Sequence, residues 1–278
     1  MRDGYRGYRF DLEDRAALGR LPVALHTTVT AGHFQAPAVI NHRPWLAIKD
    51  QGQTESCIGH AGATGVQIDT YLETEGRAAD LDLSAWYAYL VAQVGSGTFG
   101  QDQGAAVGGA IREWQERGFC LTAQCPTPAI YSNHLSPRAI EVAKTHRPRH
   151  HFTPIRSYVG AFRFISSGLG AVLFGAPITE EYQQCSGVLE GMGGRELGLH
   201  GQVAAGYTSR RDANGYPYLD CPGSWGTSFG QAGWIEYSPA VFDQLLRDRR
   251  SVAIGLSSVP PFQPPTRRLE WLLRHGVF

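Results

Sequence analysis

One stretch constrains the fold more than any other, Gln51-Gly52-Gln53-Thr54-Glu55-Ser56-Cys57-Ile58-Gly59-His60-Ala61. A polar, glycine-containing turn runs straight into a cysteine. Small residues follow at Gly59, Ala61, Gly62, Ala63 and Gly65, then apolar positions at Val66, Ile68, Tyr71 and Leu72. The pattern predicts a loop that becomes a helix at Cys57 and runs to about residue 76. The small residues allow close packing against a neighbour, and the later stripe faces a core. A thiol at a helix N-terminus lies at the positive end of the macrodipole, which favours the nucleophilic thiolate. Taken alone, a lone cysteine is more often a small buried hydrophobe.

The remaining bounds are broad. At 278 residues the chain can bury a large core, as one domain or as two lobes with a cleft between them. Lys+Arg and Asp+Glu both number 25, and this balance argues against nucleic acid or an anionic membrane as the main partner. The 34 glycines and 16 prolines point to many turns and short elements rather than a helical bundle. No stretch approaches the ~20 apolar residues of a membrane helix. Residues 1–20 are charged and lack the apolar centre of a secretory signal. Five cysteines, Cys57, Cys120, Cys125, Cys185 and Cys221, form no regular framework. Cys120 and Cys125 could pair or bind a metal, but no second close pair completes a zinc site. Reduced thiols in a cytoplasmic setting, no metal and no cofactor are the expectation.

Along the chain, residues 1–44 read as an extended lead-in with one strand near 23–29. A second helix, lined with core aromatics, is expected over 83–91 with Ser84 as its cap. A glycine-rich loop (95–109) leads to a helix over 110–117 that stops at Gly118. Residues 120–154 form a proline-punctuated connection with an amphipathic piece at 136–144, and the basic run 147–151 reads as a solvated loop. The second half turns to strands, at 171–174, 203–207, 216–221 and 234–237, with a flexible glycine loop at 191–198. A helix (239–247), a strand (251–256), a proline-rich link and an amphipathic tail close the chain. There is no internal repeat.

A thiol-dependent acyl transfer needs an activated thiol, an imidazole in reach, a group that orients the imidazole, and oxyanion donors. His60 follows Cys57 by one turn on the same helix and is poorly placed to take its proton. His26, His33, His42, His134, His146 and His275 lie in polar or terminal contexts. His200 opens the strand expected at 203–207, where it could face a first-half thiol. Spacing alone leaves it equally open to a structural role.

Three segments now carry a resemblance. Asp50-Gln51-Gly52-Gln53-Thr54-Glu55-Ser56-Cys57 resembles the DQG…SC nucleophile segment of the papain-like cysteine peptidases. His200-Gly201-Gln202-Val203-Ala204-Ala205-Gly206-Tyr207 is similar to that family's HAVxxVGY-type strand, and residues 223–234, from Gly223-Ser224-Trp225-Gly226 onward, to its NSWGxxWGxxGY segment. The order is right, and the separation of 200 − 57 = 143 falls within the family's ~130–150. Leu83-Ser84, Asp102-Gln103-Gly104-Ala105 and Gly118-Phe119-Cys120 are weaker echoes, so the likeness spans about residues 38–237.

The resemblance implies an α+β, papain-like two-lobe fold. Its helical lobe would cover about 45–150 and its β-rich lobe about 151–259, with the active-site cleft between them, the lead-in (1–44) before and a tail (260–278) after. It implies Cys57 as nucleophile, His200 as general base and acid, and Gln51 with the Cys57 N–H as oxyanion donors. Gly104 and Ala105 would pair with a substrate backbone like an added strand, and Trp225 would shield the histidine. Apart from the resemblance, the glycine at 201 beside His200 suggests a roomy subsite. The chain departs from the family in three ways. The orienting asparagine falls on Gly223, and Asp220 nearby should point to the opposite strand face. Glu55 puts a carboxylate beside the thiol, which opposes its ionisation. No full-length propeptide is visible.

The leading expectation is a cysteine peptidase or amidase acting on a peptide or protein through a Cys57 thioester. The alternative is a weak or inactive papain-fold module serving as a binding or structural subunit of a larger assembly, for example of a phage particle or secretion apparatus. Acyl transfer to an amine is a third variant of the same chemistry. The expected setting is cytoplasmic or assembly-associated.

Overall fold

The computed structural model describes residues 8–9, 36–147 and 151–258. The strand expected near 23–29, the tail 260–278 and most of the basic run 147–151 lie outside the described residues.

Helix α1 (Cys57–Glu73) starts at the cysteine, as the sequence implies, and is buried on nearly every side. Its glycines explain how neighbours come so close. A Cβ on Gly59 would lie 2.3 Å from the Ala85 carbonyl oxygen of α2 (Ala85–Gly95), and one on Gly62 2.2 Å from the Trp114 ring of α3 (Val107–Arg117). Ser84 caps α2 by accepting the Tyr87 N–H at 2.9 Å. Helix α3 begins earlier than the sequence suggests because Gly108 and Gly109 belong to it. Gly109 packs on Gly95 of α2, where a Cβ would come within 2.6 Å of the backbone, so these glycines serve a helix crossing rather than a loop. Gly118, at φ +78°, stops α3. The amphipathic piece is α4 (Pro137–Thr145), capped by Ser136.

Beyond it come, in chain order, β1 (His151–Pro154), α5 (Tyr158–Ser166), β2 (Ala171–Thr179), α6 (Glu180–Gln183), β3 (Val188–Leu189), β4 (Glu196–Ala204), β5 (Gly206–Arg211), β6 (Pro217–Pro222), β7 (Trp234–Tyr237), α7 (Pro239–Arg247) and β8 (Val252–Ser257). Helix α5 is absent from the sequence reading. Its Tyr, Val and Phe residues favour strands, yet Ser157 caps it and Tyr158, Ala161, Phe164 and Ile165 give it a helical buried face. One sheet has the order β1-β8-β2-β4, all antiparallel, and the other β3-β7-β6-β5.

Strand β2 is buried along its whole length, and its two faces serve two cores. Ala171 and Leu173 join the helices; Val172, Phe174, Ala176 and Ile178 join the second sheet with α5 and α7. The fold is α+β, mainly helical first and β-rich second, and the sheet edge formed by β4 lies against α1.

Two sequence expectations are corrected here. His200 does not open a strand: β4 begins at Glu196 and His200 sits in its middle, opposite Ala176. Gly198 at φ +145° and a bulge at Ile178/Thr179 carry the ladder through the glycine-rich run. His42 is not in a polar context either; it is 1% exposed, edge-on to Trp45 and Tyr71, which stack at 3.9 Å.

Candidate active site

The loop before Cys57 is held by its own polar groups. Gly52, at φ +57°, makes the turn, and its N–H donates to Asp50 Oδ1 at 2.8 Å. Thr54 donates from both its N–H and its hydroxyl to the Gln51 carbonyl, and Gln51 Nε2 donates to the Thr54 carbonyl at 2.7 Å. The segment 223–225 fastens this loop from the other side. The Gln51 N–H donates to the Ser224 carbonyl at 2.8 Å, the Ser224 hydroxyl donates to Gln51 Oε1 at 2.6 Å, and Asp50 bridges Trp225. Two of the three sequence motifs therefore meet through Gln51. Ser224 was not singled out in the sequence; its position between Gly223 and Trp225 was the available signal.

Cys57 begins α1 and is fully buried. Its Sγ accepts the backbone N–H of Gly201, on β4, at 3.1 Å. The His200 segment thus meets the first motif at the sulfur itself. Burial pushes the thiol pKa well above its ordinary value. The Gly201 N–H and the N–H groups at the start of α1 pull it down, and the Glu55 carboxylate pushes it further up. The helix terminus does favour the thiolate, as the sequence suggests, but desolvation is the larger effect.

Next to Gly201, His200 is fully buried. Its ring lies 5.1 Å from that of Trp225 and 5.7 Å from that of Tyr182, which packs on Trp225 at 5.2 Å; Phe229 closes the aromatic group at 4.6 Å from Trp225. Burial, aided by the charge His60 would carry, lowers the His200 pKa to about 3. His60 is turned to its own helix start, its Nδ1 against the Ser56 carbonyl at 3.0 Å. At rest the Cys57 thiol and the His200 imidazole are consequently both neutral.

Gly223 lies near this group, where a Cβ would meet the Gly233 carbonyl oxygen at 3.2 Å and the Phe229 ring at 3.6 Å. Asp220 points elsewhere: Arg43 grips it with two hydrogen bonds, 2.9 and 2.7 Å. The carboxylate is thus committed to an ion pair on the other face of β6.

Two of the expected substrate-binding glycines, Gly104 before α3 and Gly201 on β4, need correction. The Gly104 N–H donates to the Tyr89 hydroxyl at 3.1 Å and is used within the protein, and its carbonyl accepts the Thr98 hydroxyl at 2.9 Å. The Ala105 carbonyl accepts the Arg9 N–H at 3.0 Å. Gly201 does not border open space: a Cβ there would lie 2.4 Å from Ile58 Cδ1, so the missing side chain brings β4 onto α1. Asp102, from the same loop as Gly104, ties the two regions together through the Glu55 N–H (3.0 Å) and the Tyr89 hydroxyl (2.9 Å).

All five cysteines are free thiols, Cys120 and Cys125 included. Among the described residues, no group of three or more His, Cys, Asp or Glu side chains is arranged to hold a metal ion, and no helix is long and apolar enough to cross a membrane.

Solved structures with the same fold are cysteine proteases. Xylellain from Xylella fastidiosa superimposes with a TM-score of 0.72 at 15% identity, over 94% of this chain and 99% of that one. Bromelain from Ananas comosus, in complex with the E64 inhibitor, gives 0.61 at 17% identity over 80% and 99%. The ragweed pollen allergen Amb a 11 in its proform gives 0.67 at 18% identity over 94% and 71%. At these identities the likeness establishes a papain-like fold. The sequence matches no protein-family model and no curated protein.

Proposed function

We propose that the protein is a papain-like cysteine peptidase or amidase that cleaves a peptide or amide bond through a thioester on Cys57. One observation carries the reading. The thiol at the start of α1 touches the backbone of the residue that follows His200, and Gln51, in the loop that leads into α1, is held by Ser224.

The chemistry follows from the groups present. Sγ attacks the carbonyl carbon while its proton passes to the His200 ring, so no ion pair has to persist in the buried resting site. The oxyanion takes the Cys57 N–H and the second proton of Gln51 Nε2, whose first is used by Thr54. His200 gives its proton to the leaving amine, then takes one from the water that hydrolyses the thioester. Trp225 and Tyr182 keep bulk water off the ring. An amine in place of that water would turn the same thioester to acyl transfer.

A second reading has its own support. Gly223 offers no amide to orient the imidazole, and burial together with Glu55 keeps the thiol protonated. Both suit a papain-fold module that binds or builds an assembly instead of cleaving. Hydrolysis of a broad set of blocked peptide amides, compared with Cys57→Ala and His200→Ala, separates the two. Turnover lost in both variants supports the peptidase; turnover equal in wild type and Cys57→Ala rejects it.

A further inference from the structure

The described residues 8–9 lie between Ala105 and β4. Tyr8 forms a parallel bridge with Ala105, its N–H donates to the Leu199 carbonyl at 3.3 Å, and the Arg9 N–H donates to the Ala105 carbonyl at 3.0 Å. Leu199 directly precedes His200. This piece of chain therefore makes the added-strand pairing proposed for a substrate backbone, and it spans from the helical half to the strand that carries the histidine.

Tyr8 is 2% exposed, and its side chain fills a pocket of specific shape. A Cβ on Gly175 would lie 2.7 Å from the Tyr8 ring, so this face is open only because residue 175 is glycine. The phenol hydroxyl donates to the Arg250 carbonyl at 3.0 Å at the far end. In the β2–β4 ladder Gly175 stands opposite Gly201, whose N–H rests on Cys57 Sγ. Directly paired residues are about 5 Å apart, so the ring lies about one ladder spacing from the thiol's contact.

We infer that the Tyr8 pocket selects a tyrosine of the substrate, with Tyr8 its internal occupant. The inference rests on the peptidase reading for its meaning, though not for its binding test. Gly175 sets the width of the pocket and the Arg250 carbonyl its polar end. A phenol satisfies both, phenylalanine forfeits the hydrogen bond to the partly buried carbonyl, and branched aliphatic side chains leave the far end empty. Substrate must displace Tyr8, so the full chain binds more weakly than one whose pocket has been vacated.

The test uses the full-length chain with Tyr8→Ala. Fluorescently labelled blocked peptides, identical except for Tyr, Phe or Val at one position, are titrated by anisotropy against Tyr8→Ala/Cys57→Ala, and their hydrolysis is followed with Tyr8→Ala alone. The tyrosine peptide is expected to bind about 10-fold tighter than the phenylalanine peptide and more weakly to the Cys57→Ala protein that keeps Tyr8. Adding Gly175→Ala should abolish the preference for tyrosine; circular dichroism and the melting transition verify that this variant folds. Tyrosine-selective binding without cleavage upholds the subsite and rejects the peptidase. Cleavage without any preference among the three peptides overturns the subsite and leaves the peptidase standing. Equal binding of the three, or no binding, also overturns the subsite.

Discussion

The backbone N–H of Gly201 donates to Cys57 Sγ at 3.1 Å, which joins the first residue of α1 to the middle of β4. This bond holds the sulfur beside the histidine strand and partly offsets the burial that keeps the thiol protonated.

Glu55 acts in the opposite sense, since its carboxylate raises the thiol pKa. Glu55→Gln removes the charge and keeps the shape. Alkylation of Cys57 by iodoacetamide at pH 7, followed by peptide mapping, should become several-fold faster in Glu55→Gln than in wild type. An unchanged rate would mean that the carboxylate does not influence the sulfur.

Gly223 is the position at which an orienting amide would be restored. Its backbone is not in the left-handed region, and a new Cβ meets the Gly233 carbonyl oxygen at 3.2 Å, a contact relieved by a shift of a few tenths of an ångström. Gly223→Asn should raise kcat/KM about 10-fold or more, with the gain mainly in kcat, because fixing the ring acts on the chemical step.

Three buried imidazoles predict loss of stability in acid. Burial lowers the pKa of His42 to about 4, of His60 to about 4 and of His200 to about 3. In the unfolded chain each titrates near 6.5. Above that pH neither state is charged and there is no penalty. As pH falls from 6.5 to 4 the unfolded state takes up protons first, and each imidazole can withdraw about 3 kcal/mol. Urea denaturation across this window should show a steep decline, flatter in His42→Phe, whose ring can stay between Trp45 and Tyr71.

The Arg43–Asp220 pair should be costly to break. Asp220 is almost wholly buried, and burial raises its pKa despite the guanidinium. Arg43 also contacts Gln231 and lies over the Trp234 ring at 5.2 Å. Arg43→Ala leaves the carboxylate without its charge partner and should destabilise the protein by about 3 kcal/mol at pH 7, read by urea denaturation. Arg43→Ala/Asp220→Asn should recover part of this loss.

Much of this was legible in the sequence because local signals agreed with tertiary demands. The small residues of α1, the Ser84 and Ser136 caps and the stop at Gly118 each set an element boundary close to the one found. The motif order anticipated that the three segments meet, through Cys57 with Gly201, Gln51 with Ser224 and His200 with Trp225. What sequence could not convey is what fills the space beside each of them. Gly201 looked like room and is a contact with Ile58, and the Gly104 N–H looked available and is taken by the Tyr89 hydroxyl of α2. Helix α5 was hidden because its strand-forming residues are overruled by burial on one helical face. Tyr8 carried no signal at all, since its role depends on Gly175 and Arg250, more than 160 residues away.

The most direct test of the central claim is mass spectrometry of the acyl adduct formed when the full-length protein is mixed with a blocked peptide ester and quenched in acid. An adduct mapped to Cys57, absent in Cys57→Ala, formed and hydrolysed at least 10-fold more slowly in His200→Ala, is the predicted result. No adduct on Cys57, or identical kinetics in His200→Ala, would contradict a thiol–imidazole enzyme and leave the papain fold to a binding role.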